Sequence, residues 1–233
     1  MLLGAGRTAD VYALDQDRVL RRYRAPRDVQ AEAEKMRFLA AAGFPVPAVY
    51  DADRTDLVME RLDGRDMLAD LGKRPWLVSR HARTLADLHN RLHQVRAPAS
   101  WPRLPFAPGD RVVHLDLHPA NVMLTCRGPV VIDWTGAQAG AGGADVAMAY
   151  LIMATSETDL LPAPLRLAIA GLRVVLFRYF LASVQDDPSP YLAAAAKARM
   201  ADHNVRPREL TRLRRAAARA DRAGSGSSTQ ATR

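Results

Sequence analysis

Residues 114 to 121 read His-Leu-Asp-Leu-His-Pro-Ala-Asn and stand between two apolar runs, Val112-Val113 and Val122-Met123-Leu124. The proline and the crowding of polar groups predict a loop between two short strands. A turn follows at residues 125–129, and a further apolar run then leads to Asp133-Trp134. Strand, polar loop, hairpin and terminal aspartate therefore succeed one another within 23 residues.

This order of polar groups suits phosphoryl transfer. That reaction needs a carboxylate to orient and deprotonate the attacking hydroxyl, oxygen ligands for Mg²⁺, and a cation for the phosphates. Asp116 and Asn121 have the spacing of a kinase catalytic loop, in which the Asp takes the substrate proton and the Asn binds metal. Asp133, at the end of its strand, is then placed to hold Mg²⁺ on the phosphates. We therefore predict a phosphotransferase site on these three residues.

The two motifs resemble those of the aminoglycoside phosphotransferase and choline kinase family of protein-kinase-like enzymes. Residues 114–121 are similar to its catalytic-loop signature, and Ile132-Asp133-Trp134 is similar to its metal-binding triplet. The resemblance covers residues 1 to about 150. It implies an ATP-dependent enzyme that moves the γ-phosphoryl group to a hydroxyl of a small molecule, with Mg²⁺ as the metal.

The resemblance also implies a role for each polar residue of the motifs. Asp116 faces the acceptor hydroxyl, and Asn121 and Asp133 hold Mg²⁺. His114 supports the loop. Asp145 resembles the helix aspartate that braces the catalytic loop of the family, which is a structural role.

The N-terminal residues resemble the nucleotide-binding part of the same family. Gly4-Ala5-Gly6-Arg7-Thr8-Ala9-Asp10-Val11 is similar to the kinase phosphate loop, with Ala9 in place of the third glycine. Residues 57–64 resemble the strand that leads into the hinge. This implies that the backbone of Glu60 and Leu62 meets the adenine.

One departure concerns the cation for the α- and β-phosphates. None of the three lysines, Lys35, Lys73 and Lys197, lies on the second predicted strand, where this fold keeps that cation. Arg21 or Arg22 must take its place, and alternation along a strand lets only one of them face the nucleotide. Alignment with the family favours Arg21, and Glu32 matches the helix glutamate that pairs with the cation.

The chain divides into a β-rich front and a helical back, an α+β architecture. Apolar patterning predicts strands at 11–14, 19–23, 48–50 and 57–59, and helices at 29–42, 67–71 and 77–95. We expect a two-lobed, protein-kinase-like fold with a small antiparallel sheet and one helix at residues 1–59. A hinge at 60–64, a helical lobe at 65–215 and a disordered basic tail at 216–233 would follow.

Composition excludes several other classes of protein. The apolar stretch Leu165 to Val184 carries three arginines, so it predicts a buried helix and not a membrane span. A single cysteine, Cys126, excludes an internal disulfide and suits a reducing cytoplasm. The net charge of +8 gathers late in the chain without interleaved aromatic residues, so we expect no nucleic-acid partner. Trp134, beside a buried strand, is expected in the core.

Four alternatives remain open. The missing lysine and Ala9 fit a catalytically impaired, pseudokinase-like regulatory module that still binds nucleotide. A protein kinase would need a long segment after Asp133, and helical sequence resumes near residue 145. Alternating His114, Asp116 and His118 fit the metal ligands of a hydrolase. His89 and His93, four apart on a helix, would bind zinc if a third ligand faced them, although a structural role is preferred.

Overall fold

A computed structural model describes residues 1–6, 8–25, 28–156, 162–201, 205 and 207–227. The chain forms two compact units. The first contains Met1–Asp70 and Pro119–Ala137, and the second contains Leu71–His118 and Gln138–Arg233. The chain therefore passes between units three times, whereas the sequence predicted a single division, at residues 60–64.

Strands and helices are numbered in chain order. The strands are β1 (Leu2–Ala5), β2 (Ala9–Ala13), β3 (Arg18–Tyr23), β4 (Val49–Asp53), β5 (Asp56–Glu60), β6 (Arg65–Asp66), β7 (Arg111–Val113), β8 (Val122–Thr125), β9 (Gly128–Val131) and β10 (Gln138–Gly140). The helices are α1 (Val29–Ala41), α2 (Met67–Lys73), α3 (Val78–Leu92), α4 (Gly142–Thr155), α5 (Ala163–Leu181), α6 (Leu192–Met200) and α7 (Pro207–Ser227). Short 3₁₀ turns lie at Pro75–Leu77, Pro119–Asn121, Trp134–Gly136 and Ser189–Tyr191. The predicted α+β class is confirmed.

The first unit is built on a five-stranded antiparallel sheet of order β1-β2-β3-β5-β4. Helix α1 is capped at its N-terminus by Asp28, whose Oδ1 accepts the Ala31 N–H at 2.9 Å. It ends before Gly43, whose φ of 76° suits glycine. Both signals were read from the sequence, and both helix ends lie where they predicted.

Residues 119–137 complete the first unit. They supply β8 and β9, which form a second sheet of order β6-β8-β9. The Val131 N–H donates to Pro45 O at 2.9 Å, and the Phe44 and Trp134 rings meet edge to face with centroids 5.6 Å apart. Trp134 is fully buried, as expected. This hairpin is thereby fixed against the segment that follows α1.

The second unit is mainly helical. Helix α3 buries the predicted apolar stripe of Leu85, Leu88 and Leu92, each 0% exposed. Strands β7 and β10 pair beside it in an antiparallel ribbon. Helices α4, α6 and α7 share a core cluster that includes Leu151 and Leu213.

Helix α5 corrects one prediction. The sequence predicted a buried helix, yet Leu167 and Val174 are 74% and 68% exposed, and only Leu176 and Phe180 are buried. The helix packs on α3 along one side, so apolar content overstated its burial. Over the described ranges, the structure contains no helix that is both long and apolar enough to cross a bilayer.

The C-terminal segment also differs from its expected form. Helix α7 is described as far as Ser227, so residues 216–227 of the expected disordered tail are helical. Alanine and arginine, both strong helix formers, account for the extension as far as Ala223, but not for the Gly-Ser residues 224–227. Residues 228–233 lie outside the described residues.

Candidate active site

The first part of the polar loop, residues 114–118, belongs to the second unit, where Asp145 holds its backbone. Asp145 stands in the first turn of α4. Its Oδ2 accepts the His114 N–H at 3.0 Å, and its Oδ1 accepts the Leu115 N–H at 2.6 Å. The next amide, of Asp116, donates to His114 Nδ1 at 3.2 Å. The predicted brace between Asp145 and the loop is therefore present, and it fixes Leu115 at a left-handed φ of 67°.

Asp145 is itself held by a buried cation. His93 Nε2 lies 3.1 Å from Asp145 Oδ2, and His93 Nδ1 lies 2.7 Å from Asp186 Oδ2. Burial opposes the charge, but hydrogen bonds to both carboxylates raise the pKa of His93 to about 9. Burial also opposes the charge of Asp145, yet His89 and His93 hold the pKa of that carboxyl well below its usual range. At neutral pH an imidazolium thus bridges two carboxylates beneath the loop.

His89 also lies beside the Asp145 carboxylate, but its pKa is shifted in the opposite direction to that of His93. Burial lowers the pKa of His89, and its Nε2–H donates to Leu117 O at 3.2 Å. His89, His93 and Asp145 bring three ligand atoms within 4.8 Å of one another, so the third ligand that a zinc site requires exists. Both oxygens of Asp145 are already bonded to loop amides, however, and His93 is an imidazolium. The cluster therefore fits the structural role that was predicted for His89 and His93.

The hydrolase alternative placed metal ligands on His114, Asp116 and His118. His114 is fully buried, and its Nδ1 accepts the Asp116 N–H, so that nitrogen is already occupied by the loop. Asp116 Oδ1 lies 3.5 Å from His118 Nε2, and the Asp116 side chain is 41% exposed. In the part of the chain that the structure describes, the one His/Asp cluster with metal-ligand spacing does not include these three residues.

The second part of the loop belongs to the first unit, together with Asp133. The Ile132 N–H donates to Asn121 O at 3.0 Å, and Val122 pairs with Val131. Asn121 therefore enters the β8–β9 hairpin at the end where Asp133 leaves it. Asp133 adopts φ 65° and ψ 66°, a left-handed conformation. The amide and carboxylate oxygens at this end are hard ligands of the kind that Mg²⁺ prefers, so the donor set fits that metal.

Arg21, on β3 of the same unit, links two of the predicted site residues. Its Nη1 lies 3.2 Å from Glu32 Oε1, and its Nη2 lies 3.1 Å from Asp133 Oδ1. The side chain of Arg21 is 12% exposed, and that of Glu32 is 2% exposed. Burial opposes the charge of Arg21, but Asp133 and Glu32 outweigh it and raise the pKa of the guanidinium.

Arg22 points elsewhere. Its Nη2 pairs with Asp56 Oδ2 at 2.6 Å, and its side chain is 56% exposed. Strand alternation therefore places Arg21, and not Arg22, beside Glu32 and Asp133. The pairing of Glu32 with a β3 cation is the one that the sequence implied.

The predicted phosphate-loop residues lie at the start of the first unit. Gly4 belongs to β1, and a Cβ added there would meet nothing within 4 Å. The Gly6 N–H donates to Ala9 O at 2.8 Å. Arg7, within the predicted loop, lies outside the described residues. The backbone at Gly4 is thus open to an approaching group.

Glu60 is the last residue of β5, and Leu62 lies two residues beyond it. The Glu60 N–H donates to Ala48 O at 2.8 Å, so this amide is used within the sheet. The Glu60 side chain bonds the Ala48 N–H at 3.0 Å and Arg127 Nη2 at 2.6 Å. An adenine contact at Glu60 would accordingly use its carbonyl.

Four further residues bond to these groups and were not predicted as site residues. Tyr23 donates its hydroxyl to Glu32 Oε2 at 2.5 Å, and the Thr135 hydroxyl donates to Asp133 Oδ1 at 2.9 Å. Lys35 Nζ donates to Thr135 O at 3.2 Å, and Asp186 holds His93. Tyr23 was open to prediction, because it lies two residues after Arg21 and shares its face of β3.

Comparison with known proteins gives a family and a set of structural neighbours. The model of the phosphotransferase enzyme family (APH) matches residues 1–108 and 97–178. No curated protein sequence matches the chain.

Several solved structures share the fold. Aminoglycoside phosphotransferase APH(4)-Ia, a thermostable mutant in a ternary complex with AMP-PNP and hygromycin B, is 15% identical with a TM-score of 0.67, over 97% of this chain and 94% of that one. ADP-bound aminoglycoside phosphotransferase APH(2'')-Ib is 14% identical with a TM-score of 0.58, over 91% and 90% of the two chains. An ethanolamine kinase from Plasmodium vivax is 14% identical with a TM-score of 0.60, over 93% and 81%. The predicted kinase-like fold is confirmed.

Proposed function

The chain belongs to the phosphotransferase enzyme family, and we propose that it moves the γ-phosphoryl group of ATP to a hydroxyl of a small molecule. The observation that carries the proposal is the guanidinium of Arg21, bonded at once to Glu32 and to Asp133. This contact holds Arg21, the proposed phosphate-binding cation, next to Asp133, the proposed metal-binding carboxylate. The nucleotide complexes of the neighbours, with ADP and AMP-PNP, support ATP as the donor.

Asp116 is the proposed base. Its carboxylate is partly exposed, and the amides at residues 114 to 116 are held by Asp145 and His114. A fixed backbone beneath an accessible carboxylate suits a group that must accept a proton from an incoming hydroxyl. As the acceptor oxygen attacks the γ-phosphorus, its proton passes to Asp116 and the bond from that phosphorus to the β–γ bridging oxygen breaks, which leaves ADP.

Asn121 and Asp133 would hold Mg²⁺. The ion, when bound, neutralises phosphate charge. Arg21 contacts the phosphates with the N–H groups that Glu32 and Asp133 leave unused. The loop at Gly4 and Gly6 brings backbone close to the phosphates, and the backbone at Glu60 and Leu62 holds the adenine.

Three alternatives to a small-molecule kinase, namely a pseudokinase, a protein kinase and a metallohydrolase, are each less well supported. An impaired, pseudokinase-like module was suggested by the missing lysine and by Ala9 in place of the third glycine, and Arg21 beside Glu32 supplies a cation in place of that lysine. Only eleven residues separate Asp133 from Asp145, too few for the peptide-docking segment of a protein kinase. The metallohydrolase alternative is disfavoured because His114 Nδ1, one of its proposed metal-ligand atoms, accepts a hydrogen bond from the Asp116 N–H.

The class of acceptor substrate is inferred from the charge of the helical half of the chain. Some neighbours are complexes with aminoglycosides, among them gentamicin and streptomycin, which are polycations. Residues 151–233 are basic, with thirteen Lys and Arg against seven Asp and Glu. Of the few acids grouped there, Asp186 is bonded to His93 and Asp187 accepts the Ser189 N–H, while Glu157 and Asp159 lie outside the described residues. We therefore propose a hydroxylated metabolite of low positive charge, such as a sugar or an amino alcohol. We place the enzyme in the cytoplasm, where the exposed Cys126 remains a thiol.

The test begins with a screen of hydroxylated metabolites with purified protein, ATP and Mg²⁺, read as ADP formed only when an acceptor is present. Asp116→Asn should then lower kcat by about 10² to 10⁴-fold and leave Mg·ATP binding unchanged. The matched control is Asp110→Asn, since Asp110 lies six residues earlier with a side chain 62% exposed. Turnover by Asp116→Asn equal to that of the control would refute the assignment.

A further inference from the structure

The guanidinium of Arg21 is bounded on three sides. Glu32 and Asp133 take its two terminal nitrogens, and the ring of Tyr23 lies against the central carbon, with Cζ 4.8 Å from the ring centroid. Tyr23 is 4% exposed, so this contact is buried. A cation on an aromatic face is attracted by the ring, and more strongly where water is excluded.

Tyr23 also controls the orientation of Glu32. Its hydroxyl donates to Glu32 Oε2 at 2.5 Å, while Oε1 accepts from Arg21. Burial and the adjacent Glu32 raise the pKa of the Tyr23 hydroxyl, so it remains a donor at neutral pH. One side chain therefore restrains the guanidinium through its ring and the partner carboxylate through its hydroxyl.

This double restraint matters because the cation is an arginine. A lysine ammonium is a point charge with rotatable donors, whereas a guanidinium offers donors only in its plane. Rotation of that plane would direct its unused donors away from the phosphates. We propose that Tyr23 is a positioning residue that fixes the plane of Arg21 for the nucleotide phosphates. This inference rests on the proposed function.

The experiment compares Mg·ATP with adenosine, which has the same base and sugar but neither the triphosphate nor the metal. Binding of Mg·ATP and of adenosine is measured by calorimetry for wild type, Tyr23→Leu and Tyr23→Phe. Tyr23→Leu, which removes the ring, should weaken Mg·ATP binding about 5- to 30-fold. Tyr23→Phe, which removes only the hydroxyl, should weaken it about 3-fold. Adenosine binding should stay within about twofold for both variants, because Arg21 makes no contact to a ligand without phosphates.

The matched control is Tyr50→Leu, since Tyr50 lies on β4 of the same sheet and is 52% exposed. It should leave both ligands unaffected. The cycle is completed in an Arg21→Lys background, where Tyr23→Leu should change Mg·ATP binding less than about twofold, since an ammonium has no plane to orient.

Equal weakening of adenosine and Mg·ATP, or equal weakening in the Arg21→Lys background, would show a general packing role and overturn the inference. If Tyr23→Leu does not fold, Tyr23→Phe decides alone: selective weakening of Mg·ATP supports the inference, and unchanged binding overturns it. A wild-type protein that binds no Mg·ATP overturns the proposed function as well, whereas binding that is indifferent to Tyr23 overturns this inference only.

Discussion

Replacing His93 with glutamine removes the cation that stands between Asp145 and Asp186. The pKa of His93 is raised from 6.5 to about 9, and its side chain is 3% exposed, so solvent screens the interaction little. A rise of this size corresponds to about 3 kcal/mol of the free energy of unfolding. Loss of one partner from a buried ion pair costs about 3 to 5 kcal/mol in other proteins, which agrees.

The sign of the pH dependence follows from proton binding. Between pH 6.5 and about 9 the folded protein keeps the His93 proton and the unfolded chain has lost it. The contribution is therefore complete below pH 6.5, decreases as the pH rises, and is gone above about pH 9. Wild type should exceed His93→Gln by about 3 kcal/mol at pH 6 and by less than about 1 kcal/mol at pH 9.5.

Urea unfolding followed by far-ultraviolet circular dichroism measures both values, and the difference between two proteins at each pH cancels other titrations. His118→Gln serves as the control, since the His118 side chain is 21% exposed, and should differ from wild type by less than about 0.5 kcal/mol. A difference between wild type and His93→Gln that is the same at both pH values would refute the buried imidazolium.

Two further predictions concern stability, measured by thermal unfolding. Gly64→Ala should lose about 1 to 3 kcal/mol, because Gly64 has φ 145° and an added Cβ would contact Leu124 O, whereas Gly72→Ala, in open space on α2, should lose nothing. Leu88→Ala should lose about 2 to 5 kcal/mol because Leu88 is 0% exposed, whereas Leu167→Ala, at a site 74% exposed, should change stability by less than about 0.5 kcal/mol. Equal effects within either pair would contradict the reasoning.

Local patterns predicted most of the first unit. The alternation of β3 restricted the predicted phosphate-binding cation to one of two arginines, and the contacts of Arg21 and Arg22 show which one faces Glu32. Cap residues likewise predicted both ends of α1. Strand β1 was missed because residues 2–5 carry no alternation of apolar and polar side chains. Its hydrogen bonds come from β2, which a local pattern does not report.

Contacts between residues far apart in the chain were beyond prediction. Asp186 bonds His93 across 93 residues, so neither residue alone indicates a buried cation under the loop. The exposure of α5 depends on which of its faces α3 covers, and amino-acid composition does not indicate which face that is. Tyr23 was visible as a neighbour of Arg21, but its hydroxyl bond to Glu32 depends on how α1 packs on the sheet.

The discontinuity of the first unit has a consequence for synthesis. Its opening segment ends at Asp70, yet the returning segment, Pro119–Ala137, whose Trp134 covers Phe44 and whose Val131 bonds Pro45, is complete only at Ala137. At 5 to 20 residues per second, a ribosome needs about 3 to 13 s to make the intervening residues. During that interval the nascent chain exposes the surface that Trp134 later covers, and a protein cut at residue 70 would expose it permanently.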